Sequence, residues 1–295
     1  MENSLSATDD YVSFLLSVQN LDPITVLSVF FLTLARILPL VAIVPFLGAK
    51  NIPRLVRMMF AVALCMIFMP QNLLNVHANI PNDMTYISYL LKELLIGAFL
   101  GFIASAPFYI ATTAGTLIDH SRGSASLQVT DPTTQVQTGP IGTLFNYILL
   151  AIFFSLGGPF LFFEALADSY QLIPVDGLLN MTFFNGKLSF WKMIFALLQK
   201  IMDLSIQLAA PALIGILLTD LFLGIANRLA PQVQIVFLGI PLKSWVGIAM
   251  MTAAWVLIIQ VLGKESLGWM KMLKQLINQA SYSRVPVVAE IVLHL

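Results

Sequence analysis

Glu164 and Asp168 are the residues whose types and spacing come nearest to acid–base chemistry, because an i,i+4 spacing places two carboxylates on one face of a helix. No nucleophile, base or metal ligand lies near them in the sequence, so a helix end or a subunit contact is the preferred interpretation. The motifs HExxH, CxxC, GxxxxGK(S/T) and GxSxG are absent, and the histidines are scattered at His77, His120 and His294. We therefore expect no catalytic residue, no metal ion, no cofactor and no enzymatic activity.

The composition is typical of an integral membrane protein. Hydrophobic residues make up 58% of the chain and charged residues 10%, and the mean hydropathy is +0.88. A soluble domain has roughly 45–50% apolar and about 25% charged residues. The net charge is zero, so nothing favours nucleic acid as a partner. Cys65 stands alone in an apolar run, which excludes an intrachain disulfide and a cysteine metal cluster. We expect contact with membrane lipid and an N-terminus that stays in the mature chain.

The chain is predicted to be all-α, with helices formed by long apolar runs. These runs lie at 24–47, 55–69, 87–110, 141–163, 190–230 and 233–262. About 20 apolar residues cross a bilayer as a helix, so most runs are spanning candidates, while the short second run could form a hairpin with the first. Residues 1–23 form a polar N-terminal segment, and residues 264–295 form an amphipathic C-terminal tail.

Proline and glycine predict where these helices bend or break. Pro39 and Pro45 predict a kink in the first run, and the sequence GGP at 157–159 predicts a bend in the fourth. Pro211 predicts two separate segments in the fifth run. The sequence GIPLK at 239–243 predicts a break in the last run.

Charged residues are frequent inside the apolar runs, at Arg36, Lys92, Glu93, Asp203, Asp220, Arg228 and Lys243. Each is costly in lipid unless it is paired or hydrated. Arg36 is therefore expected to face protein rather than lipid. Pairing within the chain stays open for each residue, as for Lys200 and Asp203 at i,i+3. The other explanation is contact with further chains of an assembly.

The distribution of basic residues conflicts with a simple topology. Acidic residues precede the first run and Lys50, Arg54 and Arg57 follow it, which places the N-terminus outside. The basic tail favours a cytoplasmic C-terminus, but six simple crossings would put that end outside. Regular crossings are therefore not expected for every helix.

A polar segment, IDHSRGSASLQVTDPTTQVQTGPIG at 118–142, lies between two apolar runs. Asp119 and Arg122 are spaced i,i+3 at its start. The sequence TDP predicts a helix stop at Asp131, and TGP predicts that the next helix begins at Pro140. Non-helical polar backbone does not lie exposed to lipid, because its donors and acceptors would be unpaired. A solvent-exposed loop and a pore-lining or gating loop both stay open.

This segment resembles the polar segment of the export-gate protein of type III secretion systems, the SctT/YscT family, whose flagellar member is FliR. A second block, TDLFLGIANRLAPQVQIVFLGIPLK at 219–243, is similar to that family's other signature. It has an acidic residue, a Gly, an Asn-Arg, an Ala-Pro-Gln and a Pro-Leu in the same order. Asp220 and the Arg122–Gly123 pair resemble virulence-type members more closely than flagellar ones. His120 departs from the family pattern.

The resemblance implies a core subunit of an export gate, within the base of the secretion apparatus in the bacterial inner membrane. It implies kinked helical hairpins packed into a hetero-oligomer with SctR/FliP-like and SctS/FliQ-like subunits, and contact with an SctU/FlhB-like switch protein. The transported substrates would be unfolded secreted proteins. An SctR/FliP-like part at 24–173 would precede an SctS/FliQ-like hairpin part at 174–263. The loop at 114–139 would help to form and seal the pore.

The resemblance also implies which residues matter. The pore or plug loop would use Asp119, Arg122, Gly123, Ser124, Ser126, Asp131, Pro132, Gln137 and Pro140. Subunit contacts or a structural motif would use Asp220, Gly224, Asn227, Arg228, Pro231, Gln232, Pro241 and Lys243. Pro231 is expected to end a helix, which leaves Arg228 near a helix C-terminus, where a cation is favoured by about 0.3–1 kcal/mol.

The alternative function is a secondary transporter. In that case Arg36, Glu93, Asp203 and Asp220 would be coupling or substrate sites near the middle of the membrane, and broken helices would contribute to binding. Inverted repeats are common in transporters, and no convincing repeat relates the two halves of this sequence.

Overall fold

The computed structural model describes residues 22–48, 52–76, 84–123, 139–177, 189–229 and 235–282. In these ranges the chain forms eight α-helices, one short 3-10 helix and no strand. The α-helices are α1 (Pro23–Ile43), α2 (Arg54–Leu74), α3 (Met84–Ser121), α4 (Pro140–Ser155), α5 (Gly158–Leu172), α6 (Ser189–Leu229), α7 (Ile235–Ala253) and α8 (Trp255–Tyr282). The prediction of an all-α protein is confirmed.

Several of these helices have the length and composition of membrane spans. Within the described ranges, four pass on their own: α1, α2, α3 and the Phe195–Leu229 part of α6. The number rises to six if α4 with α5, and α7 with α8, each form one bent span. Because the whole sequence is also strongly apolar, the chain is a membrane protein.

Proline sets both ends of α1. Pro23 occupies the first turn, where its missing N–H costs nothing. The helix ends at Ile43 because Val44 precedes Pro45 and is extended, with φ −76° and ψ 118°. Pro45 then begins the 3-10 helix Pro45–Leu47, so the regular helix ends at the second of the two prolines, while Pro39 lies inside continuous α1.

Two predicted breaks are wrong, because proline lies inside a continuous helix. α6 runs through Pro211, and α7 runs through Pro241. A broken helix in an apolar environment would leave several backbone groups unpaired, whereas a proline within the helix removes only one donor. The break in the last run lies instead at Ala254, where the axes of the flanking segments of α7 and α8 differ by 63°.

The predicted break between α4 and α5 is confirmed. α4 ends at Ser155, and Gly157 adopts the left-handed conformation with φ +72° before α5 begins. Glycine enters this conformation without a Cβ penalty, which explains why the chain turns here. The predicted start at Pro140 is confirmed too, with Gly139 as the extended N-cap residue of α4.

The chain divides into two compact units. The first comprises the described parts of Met1–Ala104, Phe160–Leu188 and Met270–Leu295. It packs α1 against α2, the first half of α3 and α5, with a core that includes Leu32, Ile37 and Ile103. Phe46 and Phe162 meet edge to face with ring centroids 5.0 Å apart.

The second unit comprises the described parts of Ser105–Pro159 and Ser189–Trp269. Its helices α6 and α7 approach closely because glycine replaces a side chain at the crossing. Gly215 lies against Val246 and Met250, and Gly247 lies against Ile216. The two units alternate along the sequence. The division predicted between 24–173 and 174–263 stays a prediction, and residues 178–188 lie outside the described ranges.

Candidate functional site

The two helix ends that flank the polar segment lie together in the second unit. α3 ends at Ser121, and Gly123 follows in the left-handed conformation with φ +81°. α4 begins at Pro140, and its N-cap residue Gly139 has no side chain to accept the first amide hydrogens of the helix. Those amides need an acceptor from elsewhere in the fold.

Asp119 supplies that acceptor. Its Oδ2 accepts hydrogen bonds from the backbone N–H groups of Ile141 (2.9 Å) and Gly142 (3.2 Å). Its Oδ1 accepts hydrogen bonds from Arg122 Nε (3.0 Å) and Nη2 (2.5 Å). The predicted i,i+3 pair therefore forms, and the same carboxylate caps a different helix 22 residues later. We call Asp119, Arg122, Gly139, Ile141 and Gly142 the α3–α4 junction.

The α3–α4 junction is buried and is tight enough to require glycine. Asp119 is 1% exposed and Arg122 is 8% exposed. A Cβ at Gly139 would collide with the carboxylate of Asp119. A Cβ at Gly115 would likewise collide with the backbone of Gly142, so the two helices touch without side chains between them. Burial in a low-dielectric site strengthens these charged hydrogen bonds.

Arg122 also reaches a third helix. Its Nη1 donates a hydrogen bond to Ser244 Oγ on α7 at 3.2 Å. Gly123 lies beside Ile240 of the same helix. Sequence reasoning missed Ser244 and the α4 amides, because their distance from Asp119 and Arg122 along the chain hides them from any local pattern.

The structure places only part of the predicted pore loop. Asp119, Arg122, Gly123 and Pro140 lie at its ends, as described above. Ser124, Ser126, Asp131, Pro132 and Gln137 lie outside the described residues.

The second sequence block lies mostly on α6 and α7. Asp220 of α6 forms an ion pair with Lys243 of α7. Arg228 lies in the last turn of α6, the position where a cation is favoured. Gly224, Asn227, Arg228 and Pro241 are exposed on this chain, and a Cβ at Gly224 would meet open space. Pro231 and Gln232 lie outside the described residues.

The first unit contains a buried charge cluster formed by Arg36, Lys92 and Glu93. Arg36 Nε and Nη2 donate to the two carboxylate oxygens of Glu93 at 2.5 and 3.0 Å. Lys92 Nζ lies 2.7 Å from Glu93 Oε1. Arg36 faces protein, as predicted, and both Arg36 and Glu93 are 0% exposed. The guanidinium group also stacks on Tyr170, 4.2 Å from the ring centroid.

The remaining donors of the buried charge cluster bind the last turns of α5 and the chain that follows it. Arg36 donates to Ser169 Oγ and to the carbonyl oxygen of Ile173. Lys92 Nζ donates to the carbonyl oxygens of Pro174, Val175 and Gly177 at 2.9, 3.2 and 2.7 Å. A helix C-terminus leaves carbonyls unpaired, and a cation favours that end. The buried charge cluster thus fixes how the chain leaves α5.

Asp203 is a correction to the predicted buried charges. Its side chain is exposed, because it points about 160° away from buried Ser205 on a helix that turns roughly 100° per residue. Lys200, whose pairing with Asp203 the sequence leaves open, pairs with Glu265 of α8 at 3.4 Å. Lys200 thus pairs with a residue on another helix rather than with its neighbour in the sequence.

Glu164 and Asp168 both lie on α5, at the i,i+4 spacing noted in the sequence. Glu164 is exposed and Asp168 is half-buried on α5, and each has an interaction partner within the chain. In the described ranges, no group of three or more His, Cys, Asp or Glu residues is placed to hold a metal ion. The ion pairs of Arg36 with Glu93 and of Asp220 with Lys243 each join two helices.

Most of the chain matches a known protein family. Residues 27–267 match the family described as bacterial export proteins, family 1. This range includes both sequence blocks, the α3–α4 junction and the buried charge cluster.

Individual relatives carry secretion and flagellar names. The chain is 34% identical over 166 residues to the secretion system apparatus protein SsaT of Salmonella typhimurium, covering 56% of this chain and 62% of that protein. It is 35% identical over 155 residues to the Yop proteins translocation protein T of Yersinia pestis, covering 52% and 57%. It is 28% identical over 234 residues to the flagellar biosynthetic protein FliR of Escherichia coli, covering 77% and 84%. The match thus spans about three fifths of the length of the first two relatives.

Proposed function

The chain belongs to the bacterial export proteins, family 1, and from this we propose that it is a component of a type III secretion or flagellar export apparatus and a core subunit of its export gate. In this role it is not an enzyme. It helps to form and seal the pore through which unfolded proteins are exported. Its place is the bacterial inner membrane, within the base of the secretion apparatus.

The observation that carries this proposal is the α3–α4 junction. A membrane protein gains nothing from a long polar insertion facing lipid, so the segment at 124–138 requires water or protein around it. Asp119 holds the two flanking helix ends with four hydrogen bonds in a buried site. A polar segment with fixed ends supports a pore-lining role better than a free surface loop, whose ends need no such fastening.

The charged residues favour a gate subunit over a secondary transporter. A coupling carboxylate must release its partners in each transport cycle, yet both oxygens of Glu93 are bound by Arg36, and Lys92 binds one of them as well. Asp220 is paired with Lys243. Asp203 is exposed rather than enclosed in a binding site.

We further propose that the exposed apolar side chains contact lipid and other gate subunits. α2 exposes Leu55, Met59 and Ile67 by 72, 65 and 68%. The second half of α6 exposes Leu217, Leu218, Leu221, Phe222, Ile225 and Leu229. The partners implied by the resemblance are SctR/FliP-like and SctS/FliQ-like subunits and an SctU/FlhB-like switch protein. The similarity of 24–173 to the first and of 174–263 to the second is part of this proposal.

Native mass spectrometry tests the proposal. The tagged chain is extracted gently from its own cells, with cells that carry the untagged chain as the control. We expect a discrete complex with one copy of this chain and several copies of two small membrane proteins. A lone monomer or homodimer that survives detergent exchange would overturn the proposal and favour the transporter.

Sealing is tested separately in cells that contain the whole apparatus. Deletion of residues 124–138 should leave the complex intact and depolarise the membrane. The reason is that ions would then leak through the gate when no protein is being exported. An unchanged membrane potential with a normal amount of complex would contradict the sealing role, while leaving the assignment as a gate subunit in place.

A further inference from the structure

Arg122 connects three helices through a single guanidinium group. It lies just after the end of α3, it binds the carboxylate that caps α4, and it donates a hydrogen bond to Ser244 on α7. Each of its three nitrogen atoms has a described acceptor: Nε and Nη2 bind Asp119, and Nη1 binds Ser244. The orientation of this group therefore depends on two helices at once.

We infer that Ser244 is a positioning residue that couples α7 to the first turn of α4. Ser244 fixes the plane of the Arg122 guanidinium group, and Arg122 in turn fixes the carboxylate of Asp119 over the amides of Ile141 and Gly142. When a neighbouring chain displaces α7, Arg122 turns and the cap on α4 weakens. This inference rests on the proposed function, because the helix ends that it couples are those that flank the predicted pore loop.

The geometry favours coupling over an isolated helix cap. A cap normally comes from the residue just before the helix, so that its position is fixed by the local backbone. Here the N-cap residue is Gly139, and the acceptor comes from another helix. Two nitrogen atoms of Arg122 hold Asp119 Oδ1, and the third nitrogen atom of the same guanidinium group is hydrogen-bonded to Ser244 on α7.

Hydrogen exchange in the extracted protein measures the cap directly. Ser244→Ala removes one hydrogen bond from a charged donor and does not alter the residues that carry the two amides. We expect the exchange rates of the backbone amide hydrogens of Ile141 and Gly142 to rise on the order of tenfold. Ser244→Thr keeps the hydroxyl group and should retain the slow exchange. Unchanged exchange in Ser244→Ala would overturn the inference.

Two variants calibrate this experiment. Asp119→Asn removes the carboxylate, and Gly139→Ala places a Cβ where the carboxylate lies, so both should speed exchange of the same amides. Gly268→Ala is the matched control, because a Cβ there meets nothing within 4 Å. If Asp119→Asn and Gly139→Ala speed exchange and Ser244→Ala does not, the cap is purely local and the coupling is wrong. This result is independent of whether a gate complex is found by mass spectrometry.

Discussion

Glu93 shows how this chain keeps charges in an apolar interior. Taking an ion out of water costs several kcal/mol, and attraction to a partner offsets this only with good geometry and further hydrogen bonds. Glu93 receives both from Arg36 and Lys92. The buried charge cluster carries one excess positive charge, and carbonyl oxygens of the chain that follows α5 accept hydrogen bonds from Arg36 and Lys92.

Glu93→Gln should destabilise the protein strongly. The substitution leaves Arg36 and Lys92 buried without their carboxylate, a change that costs about 3–5 kcal/mol in comparable sites. Glu265→Gln is the matched control, because its partner Lys200 is half-exposed and such pairs contribute about 0–1 kcal/mol. Thermal unfolding of the extracted protein should show a much larger loss for the first variant. Equal losses would mean that the buried charge cluster contributes no more than a surface pair.

The residue types at these sites were predictable from the sequence, but their partners were not. A charge inside an apolar run must face protein, so the orientation of Arg36 followed from the sequence alone. Its partners lie 57, 133 and 137 residues away, and no local rule selects them. Asp119 and Arg122 were found because they are spaced i,i+3. Asp203 was assigned wrongly because the periodicity around it does not reveal which face of α6 is covered.

At the scale of helices, close backbone contacts depend on single glycines. Gly97 of α3 lies against the carbonyl oxygen of Arg36 in α1, where a Cβ would collide with the backbone. Four residues later, a Cβ at Gly101 would make ordinary contact with Leu40 at about 3.5 Å. One helix pair therefore contains one glycine that the packing requires and one that it tolerates.

Gly97→Ala should separate α1 from α3, whereas Gly101→Ala should not. Overpacking of this kind costs typically about 1–3 kcal/mol, and here it also shifts the backbone that carries Arg36. We expect a lower unfolding temperature and a lower yield of protein for Gly97→Ala, with Gly101→Ala close to the original chain. Similar stability of the two variants would show that α1 and α3 can move apart freely.

The protein should tolerate a reversal of the two charges in the ion pair of Asp220 with Lys243. The side chains of Asp220 and Lys243 are 43% and 26% exposed, so the pair tolerates reversal better than a buried one would. Asp220→Lys alone brings like charges together between α6 and α7 and should lower the amount of folded protein. Adding Lys243→Asp should restore most of it. If the double variant is no better than the single one, a different partner of Asp220 sets its role.

Proline predicted the helix boundaries correctly where it lies at the end of a helix. It did not do so where it lies inside one. Pro45 and Pro140 mark observed ends because the residue before a proline avoids the helical region. Pro211 and Pro241 lie inside helices, because neighbouring turns keep their own hydrogen bonds and an apolar surrounding penalises any larger opening. Local propensity alone does not contain that penalty.

At the scale of the whole molecule, the exposed end of α6 should matter for assembly. Arg228→Ala is expected to reduce recovery of the gate complex more than it changes ion conductance, since Arg228 is exposed beside Leu229 at the helix end. Arg54→Ala is the matched control, because it removes an exposed arginine from the start of α2. Quantification of the complex after extraction, together with membrane potential in cells, checks this. Full recovery of the complex with a leaking pore would reverse the assignment.

The length of α6 limits how it can be placed in a membrane. Phe195 and Leu229 are 67% and 81% exposed near its two ends. At 1.5 Å per residue they are about 51 Å apart along the axis, and even a tilt of 40°, the upper end of the usual range, leaves a vertical separation of about 39 Å. A hydrocarbon core is about 30 Å thick and cannot cover both side chains. At least one of these two exposed apolar side chains therefore lies beyond the lipid tails when α6 crosses the bilayer, so the apolar surface of α6 is longer than the hydrocarbon core alone can cover.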